Sequence, residues 1–207
     1  MLIPLKKILN SLIRVQLINA GGVMFIASML GGALGYTYQM VIAKILSPSD
    51  FGLLSAILAL WGVATVPLAA YSMLLTRNIA AFYARSNITA VTSVYWKGWQ
   101  HLGIASIIFC VTFVFTAPFL QAYLKAPSLL PVIFFGLLMV VTIFTPVNAS
   151  LLQGVHNFRW LALNGLIGQS GKLILGVIFI YLGWSVAGAL GGMILTVLIT
   201  FILNINR

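Results

Sequence analysis

Acidic side chains are nearly missing from these 207 residues: eleven lysines and arginines face a single carboxylate, Asp50. Membrane phosphotransferases and glycosyltransferases hold a metal or a base with carboxylates, so such enzymes are disfavoured. Asp50 itself follows Leu46-Ser47-Pro48-Ser49, where a turn or cap role is ordinary. Cysteine is as scarce. Cys110 stands alone, which excludes an internal disulfide and a metal-binding thiolate cluster. His101 and His156 have no carboxylate near them in sequence and read as interfacial. No glycine-rich phosphate loop with its lysine occurs, so there is no ATP-driven engine. No cofactor, metal or enzymatic activity is expected.

Apolar sequence takes the place of charge. Hydrophobic residues make up 62% of the chain, and the mean hydropathy is +1.14. Soluble domains do not have this composition. Charge-free runs lie between Arg14 and Lys44, Asp50 and Arg77, Lys97 and Lys125, Lys125 and Arg159, and Lys172 and Arg207. Each exceeds the ~20 residues a helix needs to cross a bilayer. The runs lack the alternation of barrel strands. The expected fold is an all-α integral membrane protein with six spans, at about 17–43, 51–75, 100–123, 129–152, 160–182 and 184–203. Gly183 marks a tight turn between the last two. The net charge of +10 does not indicate nucleic acid, because the cations are scattered at span ends.

Loop charge sets an orientation. With a cytoplasmic N-terminus, that side collects Lys6, Lys7, Arg14, Arg77, Arg85, Lys97, Arg159 and Arg207, and the other only Lys44 and Lys125. The C-terminus then returns to the cytoplasm. Lys6, Lys7 and Arg14 precede a stretch too long for a cleavable signal. Residues 77–99 mix basic and aromatic residues and read as a helix lying at headgroup level. Asn87-Ile88-Thr89 matches a glycosylation acceptor but falls on the cytoplasmic side.

Lys172 breaks the apolar pattern most sharply. It lies near the middle of the fifth span, about ten residues, or roughly 15 Å, from the nearer end. A lysine at that depth costs roughly 2.5–3.5 kcal/mol on insertion scales. No acidic residue is at hand, so the anion it faces is expected to arrive as substrate. The alternatives are a bond to a helix carbonyl and snorkelling. Asn164, Gly168 and Lys172 recur every four residues, with Gln169 and Gly165 beside them. They form a polar, small-residue surface running from the cytoplasmic mouth to mid-membrane. Asn148 and Asn19 lie near the same mouth, and Tyr36 and Gln39 nearer the outer side. The candidate cavity residues are Lys172, Gln169, Asn164 and Asn148; for the amides, simple helix bridging is the competing reading.

Small residues recur four apart at Gly31 and Gly35, Ser28 and Gly32, and Gly188 and Gly192. Such spacing lets helix backbones approach closely, within the bundle or in a dimer. Pro67, Pro118, Pro131 and Pro146 fall in or near spans and act as static kinks or as hinges.

Several segments together resemble the Wzx-like polysaccharide and O-antigen flippases of the multidrug/oligosaccharidyl-lipid/polysaccharide (MOP) exporter superfamily. They are Ala43-Lys44-Ile45-Leu46-Ser47-Pro48-Ser49-Asp50-Phe51-Gly52-Leu53, Thr76-Arg77-Asn78-Ile79-Ala80, and Leu151-Leu152-Gln153-Gly154 with Phe158-Arg159. Gly171-Lys172-Leu173 and Gly183-Trp184-Ser185-Val186-Ala187-Gly188-Ala189 complete the series, in the family's order. The resemblance implies a carrier that moves undecaprenyl-diphosphate-linked oligosaccharide from the cytoplasmic to the outer leaflet of the bacterial inner membrane. It implies two six-helix lobes around a cationic cavity, with Lys172 facing the cavity. Arg77 and Arg159 would stand at the cytoplasmic headgroup entrance, or simply anchor the span ends. Membrane lipids and a second lobe or second copy of the chain are the implied partners. This chain matches one MATE-like lobe, as a fragment, a shortened gene product or a half-sized protein. A drug exporter is disfavoured, since such carriers commonly use carboxylates within spans and this chain has none. The remaining alternative is a non-transporting accessory or remnant of a polysaccharide machine.

Overall fold

Among the described residues seven α-helices follow one another: α1 Ile3–Ile45, α2 Pro48–Ala84, α3 Ile88–Tyr123, α4 Leu130–Ile143, α5 Thr145–Gly154, α6 Phe158–Phe179 and α7 Ser185–Ile205. This computed structural model describes the backbone of residues 3–205 and the side chains of residues 21–204, and no strand occurs among them. The side chains of Asn19, Lys6, Lys7, Arg14 and Arg207 lie outside the described residues.

Among the described residues five helical stretches are long and apolar enough to cross a bilayer: Gly21–Ile45, Pro48–Ala84, Ile88–Tyr123, Leu130–Gly154 and Phe158–Asn204. The protein is a multi-pass membrane protein. The last stretch, where the sequence reading counted two spans, doubles back through a wide turn at Ile180–Trp184. Gly183 takes φ 90° there, in the left-handed region open to glycine. As a result α6 and α7 lie side by side. A Cβ on Gly188 would come within 2.8 Å of the Phe179 backbone, and one on Gly192 would overlap the backbone of Gly176. Lipid tails are as apolar as leucine, so burial does not drive this pairing; close van der Waals contact does.

Residues 77–99 are not one separate helix. Instead α2 continues to Ala84 and α3 begins at Ile88, so this segment is the joined ends of two long helices. Packing explains the correction. Ile79 is fully buried, Val91 is buried, and the buried Gly98 lies against Leu75 and Val147. Ser86 takes the left-handed turn and Asn87 caps α3, accepting the Ala90 N–H at 3.0 Å. The glycosylation-like asparagine is thus a helix cap. His156 and Asn157 repeat the device before α6, with Asn157 accepting from Trp160 N at 3.3 Å. Ser47 caps α2 in the same way, its oxygen 3.2 Å from Asp50 N, with Pro48 at the first helical position.

Pro118 sits inside α3 without ending it, and Pro67 sits inside α2. Pro146 has the larger effect, because the helix breaks at Phe144 between α4 and α5. Proline leaves the carbonyl four residues back without its helical donor. That carbonyl belongs to Thr142, and the Thr145 hydroxyl donates to it at 2.8 Å.

The main core joins Tyr38 and Ile42 of α1, Leu54 and Ile57 of α2, Leu138 of α4 and Leu190 of α7. A smaller one holds Leu75, Leu102, Ile143 and Val147. Outside them Val63, Val66, Met73, Ile107, Val111, Val114 and Phe119 are exposed, forming an apolar surface suited to lipid tails. α1 packs chiefly on α6, and the space between these two helices forms the candidate site.

Candidate functional site

Lys172 lies beside a cavity of about 680 Å³ between α1 and α6. Leu161, Gly165 and Gln169 line it from α6, and Ser28, Gly31, Gly32, Gly35, Tyr36 and Gln39 from α1. The α1 glycines are therefore cavity wall rather than a tight backbone contact. A Cβ on Gly31 or Gly35 would meet only the Gln169 side chain, at 3.7 Å, and one on Gly32 would meet nothing within 4 Å. Glycine here makes room.

The Lys172 ammonium stands 4.3 Å from the centroid of the Tyr38 ring. A cation over an aromatic face gains about 0.5–2 kcal/mol, most where water is excluded. Tyr38 is 1% exposed and its ring lies against Gly176, where a Cβ would stand 3.1 Å away. Among the described residues Lys172 forms no ion pair. The one carboxylate, Asp50, lines a different cavity of about 490 Å³ with Trp184 and Phe134, beside Gly183. An aromatic face softens the cost of the buried charge without neutralising it.

The other two cavity candidates lie elsewhere. Asn148 and Asn164 line a separate space of about 290 Å³ with Thr145, Thr200, Phe201 and Asn204. Helical geometry divides the stripe expected on α6, since Asn164 and Gln169 stand about 140° apart around the axis. Leu161 and Gly165 border both spaces. Tyr95 donates to Asn148 Oδ1 at 3.2 Å, and Asn164 donates to Asn204 Oδ1 at 2.6 Å. Helix bridging is thus part of what these amides do. Their other halves, Asn148 Nδ2 and Asn164 Oδ1, are buried without a partner among the described residues. Such an orphan costs about 1–3 kcal/mol.

Arg77 and Arg159 are both exposed and line neither cavity. At one end of the bundle α2, which carries Arg77, meets α5, the helix before that of Arg159: Thr76 donates to Gln153 Oε1 at 3.4 Å and Gly154 packs on Ile79. A Cβ on Gly154 would overlap Ile79. Two of the recognised segments therefore form one helix contact, which accounts for their glycine and their small or polar residues. Sequence reasoning missed Tyr38, Tyr95 and Asn204. For Tyr38 a signal existed, since Gly31, Gly35 and Tyr38 follow the four-then-three spacing of one helix face.

The family model described as "Polysaccharide biosynthesis protein" matches residues 41–206, most of the chain. This chain belongs to that family. No curated protein sequence matches it. Its fold is that of MOP transporters. An outward-facing multidrug resistance MATE transporter of the MOP superfamily superposes with a TM-score of 0.71 at 16% identity, covering 89% of this chain and 43% of that one. A MOP superfamily transporter from Pyrococcus furiosus gives 0.69 at 17% identity over 89% and 43%. A MATE transporter in complex with MaD3S gives 0.68 at 18% over 89% and 44%. The chain thus spans less than half the length of these transporters and has the architecture of one lobe. At these identities the likeness speaks for the fold alone.

Proposed function

We propose that this polysaccharide-biosynthesis protein forms one lobe of a carrier for undecaprenyl-diphosphate-linked oligosaccharide, moving it from the cytoplasmic to the outer leaflet of the inner membrane. The observation that carries the reading is Lys172, a cation within a span beside a cavity of about 680 Å³ and unpaired with any carboxylate. A diphosphate is the kind of group that completes such a site. In this reading Gln169 donates hydrogen bonds beside the lysine. A second lobe, or a second copy of the chain, supplies the facing wall. Arg77 and Arg159 receive the headgroup at the cytoplasmic end, with both termini on that side.

The test is surface polysaccharide in cells whose own gene is replaced by variants, with membrane levels followed by immunoblot. Lys172→Ala should abolish export at normal protein level, and Lys172→Arg should retain part of it. Normal export by the Lys172→Ala protein would overturn the role of the lysine. Normal export after deletion of the whole gene would instead assign the chain to an accessory or remnant role.

A further inference from the structure

The space beside Asn148 has a different chemistry from the one beside Lys172. Asn148 is 7% exposed, and its Nδ2, a donor, finds no partner among the described residues. Across the cavity Asn164 Oδ1, an acceptor, also finds none. Its orientation follows from a neighbour. The Trp160 indole N–H can only donate, and it meets Asn204 Oδ1 at 3.0 Å. That oxygen also accepts from Asn164 Nδ2, so the Asn164 oxygen is the half left over.

Thr145 and Thr200 also line the cavity, their hydroxyls donating to the Thr142 and Val197 carbonyls, and Asn204 Oδ1 is taken by Trp160 and Asn164; Leu152, Leu161, Val197 and Phe201 make apolar wall, and no charged side chain lines the cavity. Gly165 and Gly168 keep it open, since a Cβ on either would meet nothing within 4 Å. Lys172 is eight residues from Asn164, about 12 Å along α6. A few polar groups among apolar walls is the usual make-up of a small-ligand pocket. About 290 Å³ also far exceeds the ~10–15 Å³ a single water needs.

We propose that this cavity is a subsite for an uncharged sugar ring, separate from the anion site at Lys172. The ring presents an acceptor to Asn148 and a donor to Asn164, as an acetamido group or two neighbouring hydroxyls do, and rests its C–H face on the apolar wall. The assignment rests on the carrier reading and names the part of the substrate that the lysine does not hold.

The test is saturation-transfer NMR on the 207-residue chain in lipid nanodiscs. The probes are the methyl glycosides of N-acetylglucosamine and of glucose, which separate the acetamido source from the hydroxyl source. At least one should receive saturation, and inorganic diphosphate should not displace it. Asn164→Ala should weaken binding about 5-fold, the value of one neutral hydrogen bond. Gly168→Leu fills the space and should abolish binding. Should that variant fail to fold, Asn164→Ala and Asn148→Ala decide. Met73→Ala, on the lipid-facing surface, should bind as the unaltered chain does. No binding of either glycoside overturns the proposal and leaves a water-filled cavity, while displacement by diphosphate overturns the separateness of the subsite. Unchanged binding by Asn164→Ala, or by folded Gly168→Leu, overturns the placement. Lost export in Lys172→Ala with no glycoside binding would sink the subsite and leave the carrier reading standing. Glycoside binding with normal export in Lys172→Ala would do the reverse.

Discussion

Lys172 and Tyr38 are coupled across α6 and α1, with the ammonium 4.3 Å from the ring centroid and the ring itself 1% exposed. The phenol oxygen has no partner among the described residues. The face of Tyr38 is therefore the functional part, and its hydroxyl is a liability. Tyr38→Phe keeps the face and removes an unpaired buried group, so stability should hold or rise by up to about 1 kcal/mol. Tyr38→Leu loses the cation's aromatic partner and should cost about 1–2 kcal/mol. Thermal unfolding of the two variants in one mild detergent measures the difference. Equal loss in both would show that the hydroxyl matters and the ring face does not.

Glycines in this fold divide into spacers and wall. Gly192 lies on the Gly176 backbone, which cannot step aside. Gly192→Ala should force α6 and α7 apart and cost about 1–3 kcal/mol, the usual range for overpacking. Gly32 faces open space in the α1 wall, so Gly32→Ala should be neutral or add about 0.5–1 kcal/mol through helix propensity. The same unfolding measurement separates them. Similar losses at both positions would mean that Gly32 also carries a helix contact.

Lys172 was legible because a charge within an apolar span must face something other than lipid. The turn at Gly183 was legible because glycine there interrupts one long apolar stretch. Tyr38 was not, for a physical reason: in a membrane protein, both the core and the lipid surface are apolar. A soluble helix shows its buried face by polarity contrast; α1 and α6 do not, so their pairing left little trace in the pattern. The amides were expected near one mouth and do share a cavity, but as a space apart from Lys172, because the α6 stripe drifts around the axis. Residues 77–99 misled for the opposite reason. Their basic and aromatic residues look like a surface helix of its own, yet α2 has 37 residues, about 55 Å of helix, and runs on past Arg77 to Ala84.

Three helix ends place an ordinary L-residue in the left-handed region: Ser86 at φ 54°, Lys125 at φ 50° and His156 at φ 61°. At Ser86 and His156 the backbone closes the helix in the same way, with bonds to carbonyls three residues back and, from the next residue, five back. Glycine adopts that conformation without its Cβ crowding a carbonyl. Ser86→Gly and His156→Gly should each raise stability by about 0.5–1 kcal/mol after glycine's entropy is counted. Asn87→Ala and Asn157→Ala should each lower it by about 1 kcal/mol, because each removes a cap. Opposite signs at adjacent positions are the signature. Losses at all four would show that the turns depend on side-chain contacts instead.

The break between α4 and α5 depends on two adjacent residues with opposed effects. Pro146 removes the donor that the Thr142 carbonyl would otherwise meet, and Thr145 supplies a replacement through its hydroxyl at 2.8 Å. Thr145→Val has nearly the same shape but cannot donate. It should cost about 0.5–1.5 kcal/mol, the worth of one neutral hydrogen bond, since a backbone N–H at the end of α4 also reaches the Thr142 carbonyl. Pro146→Ala restores the backbone donor and allows one continuous helix from Leu130 to Gly154. In that background the Thr145 hydroxyl becomes redundant, so the double variant should be more stable than Thr145→Val alone. A double-mutant cycle on unfolding free energies reads the coupling directly. Simple additivity of the two changes would mean that the hydroxyl serves some other group, and that the break is held by the packing of Phe144 on Trp99, whose rings stack at 5.1 Å.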